Sequence, residues 1–135
     1  MTALDEIFVR GEELDAELLG TVLKPLLKID QDALQIRPLQ AWRTLSAKTK
    51  IGAYLLARKA MRARGLLEDE TASPAEIVQN VGLPAGTVHP TLKRMYESRP
   101  QLLQRDGRSK YSVPGWAVHD VAELISKELG ERHGQ

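Results

Sequence analysis

The sequence contains no cysteine and few aromatic residues, and both shortages restrict what the protein can be. Without cysteine, neither disulfide bonds nor thiolate metal ligands can form. The six aromatic residues (one Phe, two Trp and three Tyr) leave leucine, isoleucine, valine and alanine to build the core. The sequence also lacks a signal-peptide pattern and any apolar run of about 18 residues. We therefore expect a soluble cytoplasmic protein with no membrane partner.

Charges of both signs are present, but they are segregated along the chain. The formal net charge is only +1. Residues 1–35 hold eight acidic and three basic residues, whereas residues 36–67 hold eight basic residues and no acidic one. An acidic segment, 68–80, separates this block from a second basic block, 81–112. This pattern favours a polarised surface that a phosphate backbone could recognise; solvated helix faces of opposite sign are the alternative.

The stretch from Ser73 to Glu97 predicts two short helices joined by a tight turn. Ser73 is a typical N-cap, Pro74 suits the first helical position, and Glu76 supplies the other half of a capping box. Gly82 ends the first helix where a left-handed residue is required. A second helix is indicated by apolar residues at helical spacing, which are Val88, Leu92 and Met95.

Pro90 determines where we expect this second helix to begin. A proline in a helix interior lacks an N–H and clashes with the preceding turn, so a helix that began at Pro84 would be broken. If Thr87 is the N-cap, Pro90 lies in the first turn, where it is tolerated. We therefore predict that the helix begins at Thr87.

The segments before this stretch predict a helix, a small hairpin and a longer helix. Leucine and valine spacing indicates a helix that begins near Gly11 and ends at Pro25. Residues 26–37 favour a β-hairpin, although no glycine marks its turn, and a short helix anchored by Trp42 follows. Ser46 caps a helix over residues 47–64, whose basic face includes Lys48, Arg58, Lys59 and Arg62. That face could contact phosphates, the acidic first block or water.

The acidic loop at residues 68–72 is expected to be exposed. Paired carboxylates can indicate a hydrolase, but here no histidine or basic neighbour separates their pKa values. The three histidines are far apart in sequence, so no metal site is expected. The sequence also lacks a nucleophile–base pair and a phosphate-binding loop. We therefore expect no catalytic residue, no metal and no cofactor, and we do not interpret the chain as an enzyme.

A second hairpin is predicted directly after the helix-turn-helix. Asp106 and Gly107 separate two strand-like runs within residues 102–113, a pattern typical of a type I′ turn. Basic residues surround this turn, namely Arg105, Arg108 and Lys110. From Trp116 onward, the apolar spacing predicts a closing amphipathic helix that ends near Leu129.

This order of elements is that of a winged helix-turn-helix domain. The segment from Gly86 to Met95 resembles the recognition helix of PadR-type regulators, whose pattern is Gly-Thr-aliphatic-aromatic-Pro-x-Leu-x-Arg-Leu, with His89 at the aromatic position. MarR-type domains share the broader layout, and the resemblance covers residues 47–129. It implies a mainly α fold with a small β-hairpin wing. We divide the chain into an N-terminal extension (1–45), the winged domain (46–130) and a flexible tail (131–135).

The resemblance implies a dimeric, nucleoid-associated transcription regulator that binds double-stranded DNA in a sequence-specific manner. The recognition helix lies in the major groove, and the terminal helices supply the contact between the two subunits. We expect base contacts from His89 and Thr91, and phosphate or guanine contacts from Lys93 and Arg94. The full set of expected DNA contacts is Thr87, His89, Thr91, Lys93, Arg94, Arg105, Arg108 and Lys110, with Lys48, Lys50 and Arg58 as further backbone contacts.

The alternative function is that of a winged-helix adaptor in a larger replication, segregation or defence assembly. In that case the acidic segment 1–35 would bind a protein partner, and contact with DNA would be weak or absent.

Overall fold

The computed structural model describes the backbone of residues 3–4 and 11–133, and the side chains of residues 3–4 and 16–130. This part of the chain is mainly helical and contains two small antiparallel hairpins, as predicted. None of its helices is both long enough and apolar enough to span a bilayer. The α-helices are α1 (Gly11–Leu23), α2 (Ala47–Ala63), α3 (Pro74–Val81), α4 (Ala85–Glu97) and α5 (Val118–His133). The strands are β1 (Leu27–Asp30), β2 (Gln35–Pro38), β3 (Gln104–Arg105) and β4 (Tyr111–Ser112).

Helix α2 lies at the centre of the fold. It packs against α1, α3, α4 and α5, and its residues from Ile51 to Ala57 are all buried. Leu19, Val22 and Leu23 of α1 belong to the same hydrophobic core as α2 and α5. Trp42, in a short 3-10 helix (Gln40–Thr44), is buried as predicted. Helix α1 and the 3-10 helix are therefore packed against the rest of the protein by ordinary apolar burial.

The first hairpin forms without a glycine in its turn. Strands β1 and β2 pair from Leu27 with Pro38 to Asp30 with Gln35. The Asp30 carboxylate accepts hydrogen bonds from the backbone N–H groups of Asp32 and Ala33, both at 3.0 Å. Leu34 takes the positive φ of +56° that a glycine would adopt more easily. The bond from Ala33, and that from Arg37 after it, hold the pKa of Asp30 below its ordinary value.

Helix α5 is connected to the start of α2 by a carboxylate. The Ser46 hydroxyl accepts from the backbone N–H of Thr49 at 3.4 Å, the predicted cap. Glu128 of α5 accepts from the backbone N–H of Ser46, from its hydroxyl at 3.0 Å and from the Thr49 hydroxyl. A carboxylate at a helix N-terminus is favourable because it faces the unpaired N–H groups and the positive end of the helix dipole.

The capping box that starts α3 is confirmed. The Ser73 hydroxyl accepts from the backbone N–H of Glu76 at 3.2 Å, and the Glu76 carboxylate accepts from the backbone N–H of Ser73 at 3.1 Å. Pro74 is the first residue of the helix, and Gly82 ends it with a left-handed φ of +76°. Burial raises the pKa of Glu76, but the hydrogen bonds from Ser73 lower it by more.

The predicted start of α4 at Thr87 is wrong. The helix begins at Ala85 with Pro84 as N-cap, and Pro90 lies in its interior. The first turn closes on Pro84, whose carbonyl accepts from Thr87 at 2.9 Å and from Val88 at 3.0 Å. Pro90 is tolerated because its missing N–H would have paired with Gly86, which is exposed, so water can satisfy that carbonyl.

The second hairpin is confirmed, but its turn differs from the prediction. Gly107 does not take a positive φ; instead Ser109 does, at +59°. The Asp106 carboxylate accepts from the backbone N–H groups of Arg108 at 2.9 Å and Lys110 at 3.0 Å. With Ser109 N–H donating to the Asp106 carbonyl at 3.1 Å, this is a type I turn with a following left-handed residue rather than a type I′ turn. The aspartate side chain stabilises the longer loop.

One residue extends this hairpin into a third, very short strand. Ala72, just before α3, pairs with Tyr111 of β4 through two backbone hydrogen bonds of 2.9 and 2.8 Å. This pairing joins the start of α3 to the hairpin that follows α4.

The 3-10 turn at Gly115–Ala117 then leads into α5, which runs on to His133. Residues 134–135 of the predicted tail, like residues 1–2 and 5–10 of the acidic segment, lie outside the described residues.

Candidate functional site

The outer face of α4 carries three of the predicted DNA-contacting residues. His89, Lys93 and Arg94 are exposed, whereas the buried apolar residues of the same helix, Val88, Leu92 and Met95, face the core. His89 and Lys93 are four residues apart, so they lie one above the other on the surface. No ion pair involves any of the three in the part of the chain that the structure describes. Among the described residues, Arg94 donates only to the Thr91 hydroxyl, at 3.2 Å.

Thr91, for which we expected a base contact, is buried, and that contact stays a prediction. Its side chain is only 2% exposed, and its hydroxyl donates to the Thr87 carbonyl at 2.7 Å. Threonine often makes this bond in a helix, one turn back along the chain. The hydroxyl therefore stabilises the first turns of α4 and holds Arg94. Thr87 is half-buried, and its predicted contact stays a prediction.

Arg105 lies beside the C-terminal half of α4. Its guanidinium carbon is 5.0 Å from the centre of the Tyr96 ring, a distance typical of a cation–π contact. Tyr96 in turn meets Tyr111 edge to face, with ring centres 6.5 Å apart. These two rings hold the exposed Arg105 side chain in place without neutralising its charge.

Arg108 and Lys110 lie close to carboxylates. The Arg108 guanidinium is 2.8 Å from the Asp69 carboxylate and 2.9 Å from that of Asp106. These two partners raise the pKa of Arg108. Hydrogen bonds from Thr71, and then from Arg108, hold the pKa of Asp69 well below its ordinary value. Lys110 is 4.0 Å from Glu76, so its ion pair is loose.

Arg58 is held inside the fold by several partners, and its predicted contact with a DNA backbone stays a prediction. Its side chain is only 13% exposed. It donates to three carbonyl oxygens of the acidic loop, those of Asp69 (3.3 Å), Glu70 (3.0 Å) and Thr71 (2.9 Å). It also donates to the hydroxyl of Tyr54 at 3.3 Å. The guanidinium has several donors in one plane, which suits this cluster of carbonyls.

The acidic loop that we expected to be exposed is partly buried. Glu70 is only 8% exposed, and its carboxylate binds Lys59 at 2.8 Å and Arg62 at 2.9 Å. Much of the basic face of α2 is thus neutralised within the molecule. We call the side chains held by this loop the anchored cations: Arg58, Lys59, Arg62 and Arg108. We call the exposed cations of α4 and β3 that have no acidic partner among the described residues the open cations: Lys93, Arg94 and Arg105.

Lys48 and Lys50 are not brought together with the outer face of α4. Lys48 lies with Arg99 and Lys127 around a groove at the other end of that helix. Ser98, in the same groove, is nine residues beyond His89, which corresponds to about 13 Å along a helix axis. Lys50 is half-buried. Lys48 is therefore distant from the N-terminal part of α4, and the contacts expected from Lys48 and Lys50 stay predictions.

Sequence reasoning missed the contacts between the acidic loop and α2. A signal was present, because an acidic segment lay between two basic blocks, but nothing in the sequence paired particular residues. Among the described residues, no three histidine, aspartate or glutamate side chains converge to hold a metal ion. Comparisons with known protein families, curated proteins and solved structures gave no match. The interpretation of this site therefore depends on its own geometry and charge.

Proposed function

We propose that this protein binds double-stranded DNA as a winged helix-turn-helix domain. In this proposal α4 lies in the major groove and the β3–β4 hairpin is the wing. The observation that carries the proposal is the group of open cations on α4 and beside it. Lys93, Arg94 and Arg105 project from two adjacent elements and have no acidic partner in the described part of the chain. Such a group suits a phosphate backbone.

The arrangement of α3 and α4 supports this proposal. The capping box and Gly82 fix where α3 begins and ends, and the two helices pack against each other. The pairing of Ala72 with Tyr111 holds the hairpin beside the start of α3. Helix α4 has 13 residues and is about 20 Å long, and an α-helix fits the major groove of B-DNA.

The proposed roles follow from where each side chain lies. His89, nearest the N-terminus of α4 among the exposed polar side chains, is placed to read a base edge. Lys93 and Arg94, one turn further, contact phosphates, and Arg94 also suits the paired acceptors of guanine. Arg105 follows the backbone from the wing. Arg108 contributes less because Asp69 and Asp106 already bind it.

We further propose that the protein acts as a homodimeric transcription regulator. A dimer reads two half-sites related by its own two-fold axis, and so increases specificity without new kinds of contact. Helices α1 and α5 pack against each other within one subunit, so a dimer contact would use their outer faces.

The adaptor remains the second candidate because one observation favours it. Four basic side chains that could have faced DNA are held by the acidic loop. This arrangement makes four basic side chains less available to phosphates, which DNA binding alone does not explain. In the adaptor, the acidic segment 1–35 and not α4 would supply the main contact.

The test is the salt dependence of duplex binding, measured by fluorescence anisotropy with a labelled duplex. Non-specific affinity follows the number of phosphate contacts, so the operator sequence need not be known. We expect the double variant Lys93→Ala/Arg94→Ala to bind at least tenfold more weakly. The slope of log affinity against log salt should become shallower by about 1.8, since each lost contact removes about 0.9.

The matched control is Lys28→Ala/Arg43→Ala, which removes the same charges from exposed sites outside the proposed interface. This control should keep the wild-type slope. Equal slopes for both double variants would reject the role of α4. If the wild type shows no salt-dependent binding even at low ionic strength, the adaptor is favoured instead.

A further inference from the structure

A groove of about 440 Å³ lies between α1, β1 and the C-terminal half of α2. This volume is within the usual range for small-molecule sites, roughly 300–1,000 Å³. Its floor is apolar and includes the buried side chains of Leu19, Leu23 and Leu27. Gly20 and Ala63 leave room on its sides, and an added Cβ at Gly20 would meet no atom within 4 Å.

The rim of this groove carries only basic groups among the ionisable side chains that line it. They are Lys24, which directly follows α1, Lys28 in β1, and Arg64, which caps the end of α2. All three are exposed, and none forms an ion pair with an acid whose side chain the structure describes. The carboxylate of Asp30, in the same strand as Lys28, is bound by Arg37 at 2.8 Å.

We propose that the groove binds a small amphiphilic anion, an organic acid with one carboxylate and an apolar chain or ring. The leucine floor would remove the apolar part of this ligand from water, which is the main favourable contribution. The three rim cations would attract the carboxylate and orient it outward. Charge complementarity favours an anion over a neutral or cationic molecule of the same shape. The site is separate from α4 and does not depend on DNA binding.

The experiment is a titration of the full chain, labelled with ¹⁵N, by octanoate, followed by two-dimensional amide NMR. We expect the largest shifts at the amides of Gly20, Lys28 and Ala63, which report on three sides of the groove. Octan-1-ol has the same chain without the charge and should bind at least fivefold more weakly. Octylammonium should bind more weakly still, because its charge has the same sign as the rim.

Two groups of variants separate the floor from the rim. Gly20→Leu places a side chain in the groove and should weaken octanoate binding at least tenfold. Gly20→Ala is its matched control, since it also raises helix propensity but fills little of the volume. Lys28→Gln/Arg64→Gln should weaken octanoate binding at least fivefold and leave octan-1-ol binding unchanged.

Several results would overturn the proposal. One is the absence of shifts up to about 5 mM octanoate, where even a weak millimolar site would be partly filled. Others are shifts spread over the surface, equal affinity for octanoate and octan-1-ol, or no loss with Gly20→Leu. If the same amides shift with protein concentration alone, the groove is a contact between two copies of the chain and not a ligand site.

Discussion

The anchored cations and the open cations carry the same charge, but the fold uses them in opposite ways. Arg58 and Lys59 are largely buried, with side chains 13% and 16% exposed, and both bind the loop between α2 and α3. Lys93 and Arg94 are exposed on α4. The first group stabilises the position of a loop, and the second group is available to a partner.

The comparison shows that local charge along a sequence does not measure the charge that a partner meets. Residues 36–67 contain more basic residues than residues 81–112. Much of the first block is nevertheless neutralised, because Glu70 and three loop carbonyls lie against α2. The distinction can be tested by removing a cation of either group or an acid that holds an anchored cation, and the largest effect is expected where the contacts are most buried.

Removing the most buried anchored cation should have the largest effect. We expect Arg58→Ala to lower the free energy of unfolding by about 3 kcal/mol, because three loop carbonyls lose a charged donor. Arg58→Lys should recover less than half of this loss, because the lysine ammonium group lacks the planar set of N–H donors with which the guanidinium reaches several carbonyls. Urea denaturation followed by circular dichroism measures both values.

The matched control for Arg58 is Arg43→Ala, at an exposed site with no described ion pair. Its stability should stay within about 0.5 kcal/mol of the wild type. If Arg58→Ala were equally mild, the carbonyl contacts would contribute little and the distinction between the two groups would fail.

Removing the central acid of the loop should have the next largest effect. Glu70→Gln keeps the shape of the side chain but removes the charge that binds Lys59 and Arg62. Because Glu70 is 8% exposed, we expect a loss of about 2 kcal/mol in the free energy of unfolding. Glu68→Gln, at an exposed neighbouring acid, is the control. Identical stabilities for the two variants would show that the loop is not held by its charge.

Asp69→Asn should release Arg108 from the acidic loop and leave Asp106 as its acidic partner, at a small cost in stability. The ion pair is exposed, so the loss in the free energy of unfolding should stay below about 1 kcal/mol. The pKa of Asp69 is lowered in the folded protein from 3.8. The wild type should therefore be the more stable protein above pH 3.8, and this advantage should disappear as the pH falls through the lowered pKa.

The same substitution should raise duplex affinity about two- to fivefold, because Arg108 would then be held by Asp106 alone and could contact a phosphate more easily. Asp32→Asn, an exposed acid in the first hairpin, is the control for the change in net charge. An equal gain in both variants would mean that only net charge matters.

Features specified within a few residues could be predicted from the sequence. The capping box at Ser73, the left-handed Gly82 and the hairpin between residues 26 and 38 all follow from short patterns. The start of α4 could not be predicted, because Pro90 gives a local signal that the packing of the helix overrides. The turn after Arg105 was predicted but its type was wrong, since Asp106 accepts two backbone N–H groups that no dipeptide rule describes.

The candidate site was harder to predict because its availability depends on contacts between distant residues. Arg58 meets a carbonyl 12 residues away, and Arg108 meets a carboxylate 39 residues away. Thr91 is buried because it lies three residues after Val88 and four before Met95, on the face of α4 that meets the core. Composition located the basic blocks, but only the fold separates the open cations from the anchored ones.

The most direct test of the central claim compares one open cation with one anchored cation that is equally easy to remove. Arg94 and Arg62 are both exposed arginines, but only Arg62 binds a carboxylate, at 2.9 Å. The salt slope of duplex binding should become shallower by about 0.9 in Arg94→Ala and should not change in Arg62→Ala. Equal changes in the two variants, or a change in Arg62→Ala alone, would contradict the account.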